Sequence, residues 1–211
     1  MSQEQLSIRS NRRAQTVYFA YGSNLHLAQM AKRCPESRYL GIGKLRNYRW
    51  QINTRGFANV INSPGEEVWG LCFLLSREDE RRLDRNEGVS TGAYEKSLIP
   101  IDVFPALAMI VGRRVREVDE YIYARAGSDE ASDQSSSISR AVSEYHYNNG
   151  NILDALVYIN RVITVEGNPR EEYIARIRFG IDDALKLGIS RSYFEKYVDG
   201  AMEVKQRAVD Y

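Results

Sequence analysis

The chain has 211 residues with 29 Lys and Arg against 28 Asp and Glu, a formal net charge of +1, and 43% hydrophobic residues. This length predicts one domain that buries roughly 70% of its unfolded surface, and the near-neutral balance gives no electrostatic footprint for nucleic acid. No run of eighteen apolar residues is present, which excludes a membrane-spanning helix.

Residues 1–15 are polar and lack an apolar signal-peptide core, so they read as a disordered arm. A short strand, Val17 to Ala20, runs into the loop Tyr21-Gly22-Ser23-Asn24-Leu25, and a helix is predicted from His26 to Arg33, stopped by Cys34-Pro35. Four short segments then read as strands: Tyr39 to Leu45, Tyr48 to Ile52, Ala58 to Ile61 and Val68 to Leu75. Asn62-Ser63-Pro64-Gly65 between the last two predicts a hairpin turn, because proline presets φ and glycine tolerates positive φ. Ser76 is an N-cap candidate, followed by Glu78, Asp79 and Glu80 in the first turn, where acids favour the positive end of the helix dipole. The helix should end at Gly88 in the left-handed C′ position, with Glu87 in its last turn. A carboxylate there is disfavoured by ~0.3–1 kcal/mol, which raises its pKa.

Tyr94 to Phe104 has strand composition, with Pro100 marking an edge or bulge. Six of the twelve residues from Ser128 to Ser139 are serine, so the stretch at about 125–150 reads as a surface insertion unable to bury a core. Ile152 to Ile159 returns to strand character. Asn168-Pro169 is expected to open a helix whose stripe Ile174, Ile177, Ile181 and Leu185 packs on the sheet and which Gly188 closes. Ser190 is a cap candidate for a final helix carrying Tyr193, Phe194 and Tyr197. The expected organisation is an arm (1–15), one domain (16–199) and a tail (200–211). The fold class is α+β, a small mixed, barrel-like β-sheet with flanking helices.

Two cysteines, Cys34 and Cys72, are too few for a disulfide scaffold or a zinc site and read as structural, which fits a reducing, cytoplasmic setting. His26 and His146 stand in no ligand pattern, so no metal is expected. No nucleotide-binding glycine motif, nucleophile elbow or internal repeat occurs. What remains is a glycine-containing loop able to aim backbone N–H groups at one oxygen, and a helix-end carboxylate, Glu87, able to move protons. Together they outline an acid/base site. Taken alone, the loop is a strand-to-helix turn in which Ser23 or Asn24 caps the next helix, and Glu87 is a solvated acid. Asp84 and Asn86 read as helix surface, and the arginines at 12, 13, 81, 82 and 85 as neutralised faces.

The loop Tyr21 to Leu25, the segment Leu83-Asp84-Arg85-Asn86-Glu87-Gly88-Val89, Gly92-Ala93-Tyr94, and Pro169 to Tyr197 resemble the γ-glutamylcyclotransferase family. The likeness covers roughly residues 16–105 and 152–198; the arm, the insertion and Asn168-Pro169-Arg170 depart from the compact family pattern. The resemblance implies a cofactor-free reaction in which the α-amine of a γ-glutamyl compound attacks its own γ-carbonyl, giving 5-oxoproline and a released amine or amino acid. It implies Glu87 as the proton carrier and Tyr21, Gly22, Ser23, Asn24, Leu25, Tyr94, Tyr158 and Tyr173 as substrate-binding residues. The partner is then a small γ-glutamyl molecule: an amino acid derivative, an amine, glutathione or a glutathione-derived conjugate. Tyr121, Tyr123, Tyr145 and Tyr147 near the insertion suggest testing a bulky conjugate. A non-catalytic binding module and a γ-glutamyl hydrolase are the alternatives, and a homodimer is left open.

Overall fold

The computed structural model describes residues 15–126 and 151–202. Almost all of the arm, most of the serine-rich stretch with Tyr145 and Tyr147, and residues 203–211 lie outside the described residues.

Five strands close a barrel in the order β1-β3-β2-β4-β5. They are β1 (Thr16–Ala20), β2 (Arg38–Ile52), β3 (Ala58–Leu75), β4 (Glu95–Pro105) and β5 (Asn151–Ile159). All neighbours are antiparallel except β1 and β5, which close the barrel in parallel through Tyr18 and Leu156. Phe19, Ile42, Leu45, Leu71, Phe73 and Val157 are buried in the core. Cys72 is also buried, Cys34 is free, and burial pushes the Cys34 thiol up to about 12, so neither is a poised thiolate.

The four predicted segments between residues 39 and 75 are two long strands. The expected hairpin at Asn62–Gly65 does not form; the chain reverses at 53–57, where Gly56 N–H donates to Asn53 O at 2.8 Å and Asn53 N–H to Phe57 O at 3.0 Å. The turn signal is absorbed by a bulge instead. Pairing jumps from Arg46↔Glu67 to Tyr48↔Asn62, so residues 63–66 stand opposite Asn47 alone. Gly65 does take positive φ, at 85°, and its N–H donates to Asn47 Oδ1 at 3.1 Å. Sequence alone cannot tell this bulge from a turn, since both need the same backbone angles. Pro100 lies where β4 pairs only with β5, beyond the last contact with β2 at Asp102, so its missing N–H leaves no gap between two strands.

Helix α1 (Leu27–Arg33) follows a 3-10 turn, Ser23–Leu25. Helix α2 (Arg77–Asn86) begins as expected, with Ser76 Oγ accepting the Asp79 N–H at 3.1 Å. Helix α3 (Val115–Ala126) precedes the serine-rich stretch. Helix α4 (Glu171–Lys186) starts later than expected: Arg170 is its N-cap residue, with no side-chain cap bond. It ends in a Schellman motif, with Ile189 N–H donating to Ala184 O and Gly188 N–H to Leu185 O, both at 3.0 Å. Its principal support is the Ser23–Leu25 turn rather than the sheet. At Gly180 a Cβ would come within 2.8 Å of Leu25 Cβ. Asp183, wholly buried, accepts the Leu27 N–H at 2.8 Å and the Tyr123 hydroxyl at 2.8 Å, tying α4 to the start of α1 and to α3. Helix α5 (Arg191–Phe194), capped by Ser190, leads into a π-helical turn, Glu195–Asp199, and a last turn, α6 (Gly200–Met202).

Candidate active site

Past β1 the chain enters the Ser23–Leu25 turn, which packs against α4. Ser23 N–H approaches the Tyr173 hydroxyl at 3.3 Å, and a Cβ at Gly22 would meet that same oxygen at 3.0 Å. The residue that admits Tyr173 here has to be small. The resulting turn forms one wall of a cavity of about 270 Å³. The tip of the β2–β3 hairpin supplies Arg55, Phe57 and Ala58; the end of α2 supplies Asn86 and Glu87; Tyr94, Tyr158, Tyr173 and Arg176 come from β4's approach, β5 and α4.

Glu87 follows the last residue of α2 and is its C-cap, and Gly88 takes the left-handed conformation beyond it, φ 63°. That reversal turns the carboxylate back toward the turn at Ser23–Leu25. Glu87 Oε1 accepts from Asn24 Nδ2 at 3.1 Å and lies 3.7 Å from the Arg33 guanidinium, with 16% of its side chain exposed. Asn24 is held in turn: its Oδ1 accepts from Arg33 at 2.8 Å and from Gln29 at 3.2 Å, and its amide also donates to Tyr18 OH at 2.9 Å. Burial raises the Glu87 pKa above the ordinary carboxylate value; Arg33, the Asn24 amide, Arg176 and Arg55 act in the opposite direction. Desolvation, rather than the helix end expected from sequence, is the leading cause.

The tyrosines form the rest of the lining. Tyr21 OH donates to Tyr158 O at 2.5 Å, Tyr94 OH to Ala58 O at 2.7 Å, and Tyr158 OH to Asp84 Oδ1 at 2.7 Å. Burial raises the pKa of each, Tyr173 to about 12, so all are neutral phenols at ordinary pH.

Of the residues singled out in sequence, the structure brings Tyr21, Gly22, Ser23, Asn24, Glu87, Tyr94, Tyr158 and Tyr173 to one cavity. Leu25 is a correction: its side chain is buried in the core and does not line the cavity, and its N–H is used by Gly22 O at 2.9 Å. Asp84 and Asn86 also differ from expectation, Asp84 orienting Tyr158 and Asn86 lining the cavity wall. Tyr121 and Tyr123 do not line the cavity. Arg33, Arg55, Phe57 and Arg176 were missed, because each is brought in from a separate element and no local spacing marks it. Among the described residues no group of three or more His, Cys, Asp or Glu is placed to hold a metal ion, and no helix is long and apolar enough to cross a membrane.

Comparison with known proteins gives a consistent picture. The family model described as "Gamma-glutamyl cyclotransferase, AIG2-like" matches residues 18–146. A gamma-glutamylcyclotransferase of Bos taurus is 31% identical over 97 residues, 41% of this chain and 50% of that protein. That of Mus musculus is 33% identical over 88 residues, 37% of this chain and 47% of that protein. The chain thus spans about half the length of the curated relatives it matches. Among solved structures, an uncharacterized protein from Homo sapiens superposes with a TM-score of 0.60 at 21% identity, covering 93% of this chain and 90% of that one. A gamma-glutamyl cyclotransferase does so with a TM-score of 0.59 at 20% identity, covering 94% and 91%. These two share the fold, a closed barrel with helices beside it. With more than half of its residues matched by the family model, the chain belongs to the gamma-glutamyl cyclotransferase, AIG2-like family.

Proposed function

We propose that this protein is a γ-glutamylcyclotransferase in which Glu87 carries the proton. The observation that carries the reading is a single carboxylate with a raised pKa, fixed by Asn24 against the Tyr21–Asn24 wall of a cavity in a chain of this family. Glu87 accepts a proton from the α-ammonium of a γ-glutamyl compound, the freed amine attacks the γ-carbonyl, and Glu87 returns the proton to the departing nitrogen. One C–N bond forms and one breaks, so 5-oxoproline and an amine or amino acid leave without water or a redox partner. A positioned acid/base of this kind contributes ~10²–10⁴-fold.

The tetrahedral intermediate places negative charge on the former carbonyl oxygen. The Gly22 and Asn24 N–H groups have no carbonyl partner among the described residues, unlike Leu25 N–H, and are the donors we assign to that oxygen. One such donor is worth ~2.7–4 kcal/mol. Ring closure is already intramolecular, so the cavity's remaining task is to hold the glutamyl chain folded with amine and carbonyl in contact. The phenols of Tyr94, Tyr158 and Tyr173 are anchored and contribute a rigid, shaped wall.

The test is to incubate the purified protein, without added metal, with γ-glutamyl amino acids, γ-glutamyl amines, glutathione and glutathione S-conjugates, and to quantify 5-oxoproline and glutamate by mass spectrometry. Oxoproline that disappears with Glu87→Gln is the expected result. Glutamate as the product would replace cyclisation by hydrolysis, and oxoproline undiminished in Glu87→Gln would remove Glu87 from its role.

A further inference from the structure

We infer that Arg55 and Arg176 are specificity-determining residues that bind a carboxylate borne by the departing amine, an inference that rests on the cyclisation proposed above. The direction of the substrate follows from depth. Tyr18, Asn24 and Tyr158, at 4%, 3% and 3% exposure, form the floor beside Glu87. The reacting α-amine must reach Glu87, so the glutamyl part occupies the floor and whatever is attached beyond the γ-carbonyl points to the mouth. The Arg176 side chain, 34% exposed against 16% for Glu87, lies toward that mouth.

The mouth is cationic and pre-shaped. The Arg55 guanidinium lies 5.3 Å from the Tyr94 ring centroid and 5.7 Å from that of Phe57, and donates to Ala93 O at 2.6 Å. Arg176 lies 5.3 Å from the Tyr173 ring, which meets Phe57 edge-on at 5.2 Å. Arg170, outside the cavity lining, supports this wall: its guanidinium lies 4.9 Å from the Phe57 ring and its Nε donates to Arg55 O at 3.0 Å. Among the described residues neither Arg55 nor Arg170 has a carboxylate within 4.0 Å, and Arg176 has only Glu172 at 3.8 Å, whose side chain is 68% exposed. A solvated pair of that kind holds a guanidinium weakly. Planar guanidiniums stacked on rings keep their N–H forks ordered for a carboxylate, and little freedom is lost when one binds.

Charge supports the same conclusion. Three guanidiniums, Arg33, Arg55 and Arg176, and a single carboxylate line the cavity. Arg33 is already engaged by Asn24 and Glu87, leaving two guanidiniums without a buried counter-charge. A γ-glutamyl compound whose leaving group is an amino acid or a short peptide brings the second carboxylate; a γ-glutamyl alkylamine does not.

The experiment compares γ-glutamylalanine with γ-glutamylethylamine, which differ by that carboxylate alone, and with glutathione, whose leaving-group carboxylate lies one peptide unit farther out. Oxoproline kcat/KM is measured for the wild-type chain, Arg176→Gln, Arg176→Lys and Arg55→Gln, with melting curves to verify folding. The expected wild-type preference for the alanine compound over the ethylamine compound is roughly tenfold or more, the worth of a charged hydrogen bond. Arg176→Gln should remove most of that preference and Arg176→Lys should restore part of it. A preference for glutathione with the same dependence on Arg176 would assign the rim to a peptide carboxylate. Equal wild-type rates on the alanine and ethylamine compounds, or equal losses on both in Arg176→Gln, would overturn the inference, the latter moving the arginines to the glutamyl carboxylate. Calorimetry on Glu87→Gln and on Glu87→Gln/Arg176→Gln with the same compounds separates the two readings. No oxoproline from any substrate would sink the cyclisation, whereas selective binding of the acid, lost with Arg176, would still uphold the rim.

Discussion

Glu87 is held between two influences that oppose each other: burial makes its ionised form costly, and Arg33 with the Asn24 amide makes it tolerable. A base whose pKa lies nearer the working pH transfers protons more effectively than an ordinary carboxylate. In the proposed cyclisation Glu87 must be ionised to accept the ammonium proton, so kcat/KM is expected to fall as pH drops through its raised pKa. Arg33→Met removes the strongest opposing influence, so the acid limb of the pH–rate profile should move to higher pH; an unshifted limb would detach Arg33 from the base. Glu87→Gln should cost ~10²–10⁴ in turnover while leaving binding largely intact, read from oxoproline formation and calorimetry. The sign for stability is opposite. The folded state binds the Glu87 proton more tightly than the unfolded chain does, so this residue stabilises the fold at low pH and loses that contribution as pH rises through the folded value. At neutral pH, Glu87→Gln is therefore expected to melt no lower than the wild type.

At the scale of elements, the contact between α4 and the Ser23–Leu25 turn decides whether a cavity exists. Gly180 allows that approach: an added Cβ would stand 2.8 Å from Leu25 Cβ and 3.0 Å from the His26 backbone nitrogen, and the backbone has little freedom to retreat. Gly180→Ala gains about 1 kcal/mol in helix propensity but overpacks the contact at a cost of ~1–3 kcal/mol. The expected net result is a lower Tm together with a raised KM, since the same displacement moves Gly22, Ser23 and Tyr173. A melting curve and substrate titration check both. The N-cap of α2 offers a control remote from substrate: Ser76→Ala should cost ~1 kcal/mol with kcat/KM retained, because the Ser76 hydroxyl accepts the Asp79 N–H at the far end of the helix from Glu87.

For the whole molecule, Asn160 joins parts that no single hairpin connects. Its backbone N–H donates to Asn59 Oδ1 at 2.9 Å while its carbonyl accepts from Asn59 Nδ2 at 2.8 Å, linking the end of β5 to β3. Its side chain donates to Ala93 O at 2.8 Å and accepts from Val162 and Ile163 N–H. Asn59 and Asn160 are both buried, so removing one side chain leaves partners unsatisfied at ~1–3 kcal/mol each. Asn160→Ala is expected to lower the Tm by several degrees, roughly 2–4 °C per kcal/mol for a chain of this size, in one cooperative transition. A change confined to the 160–170 loop, with the Tm unmoved, would show that the Asn160 side chain, bonded to Ala93, Val162 and Ile163, orders only that loop.

Much of this was legible in the chain itself, because local chemistry marks local structure. The Ser76 cap, the stop at Gly88 and the closure at Gly188 follow from backbone groups that must find partners within a few residues, and the two motif segments, Tyr21–Asn24 and Glu87, do line one cavity. Where two structures make the same local demand, sequence could not choose: Asn62–Gly65 suits a turn or a bulge equally, and only the pairing of β2 with β3 selected the bulge. Leu25 carried the motif's pattern yet faces the core, because the 3-10 turn rotates it away from the wall formed by its neighbours. The arginines at 33, 55 and 176, the orientation of Tyr158 by Asp84, and the cause of the raised Glu87 pKa depend on barrel closure and on α4 packing against the Ser23–Leu25 turn. Sequence determined which groups are able to do chemistry; the tertiary structure decided which of them meet, since desolvation and charge act through space over a few ångströms and carry no signature in chain order.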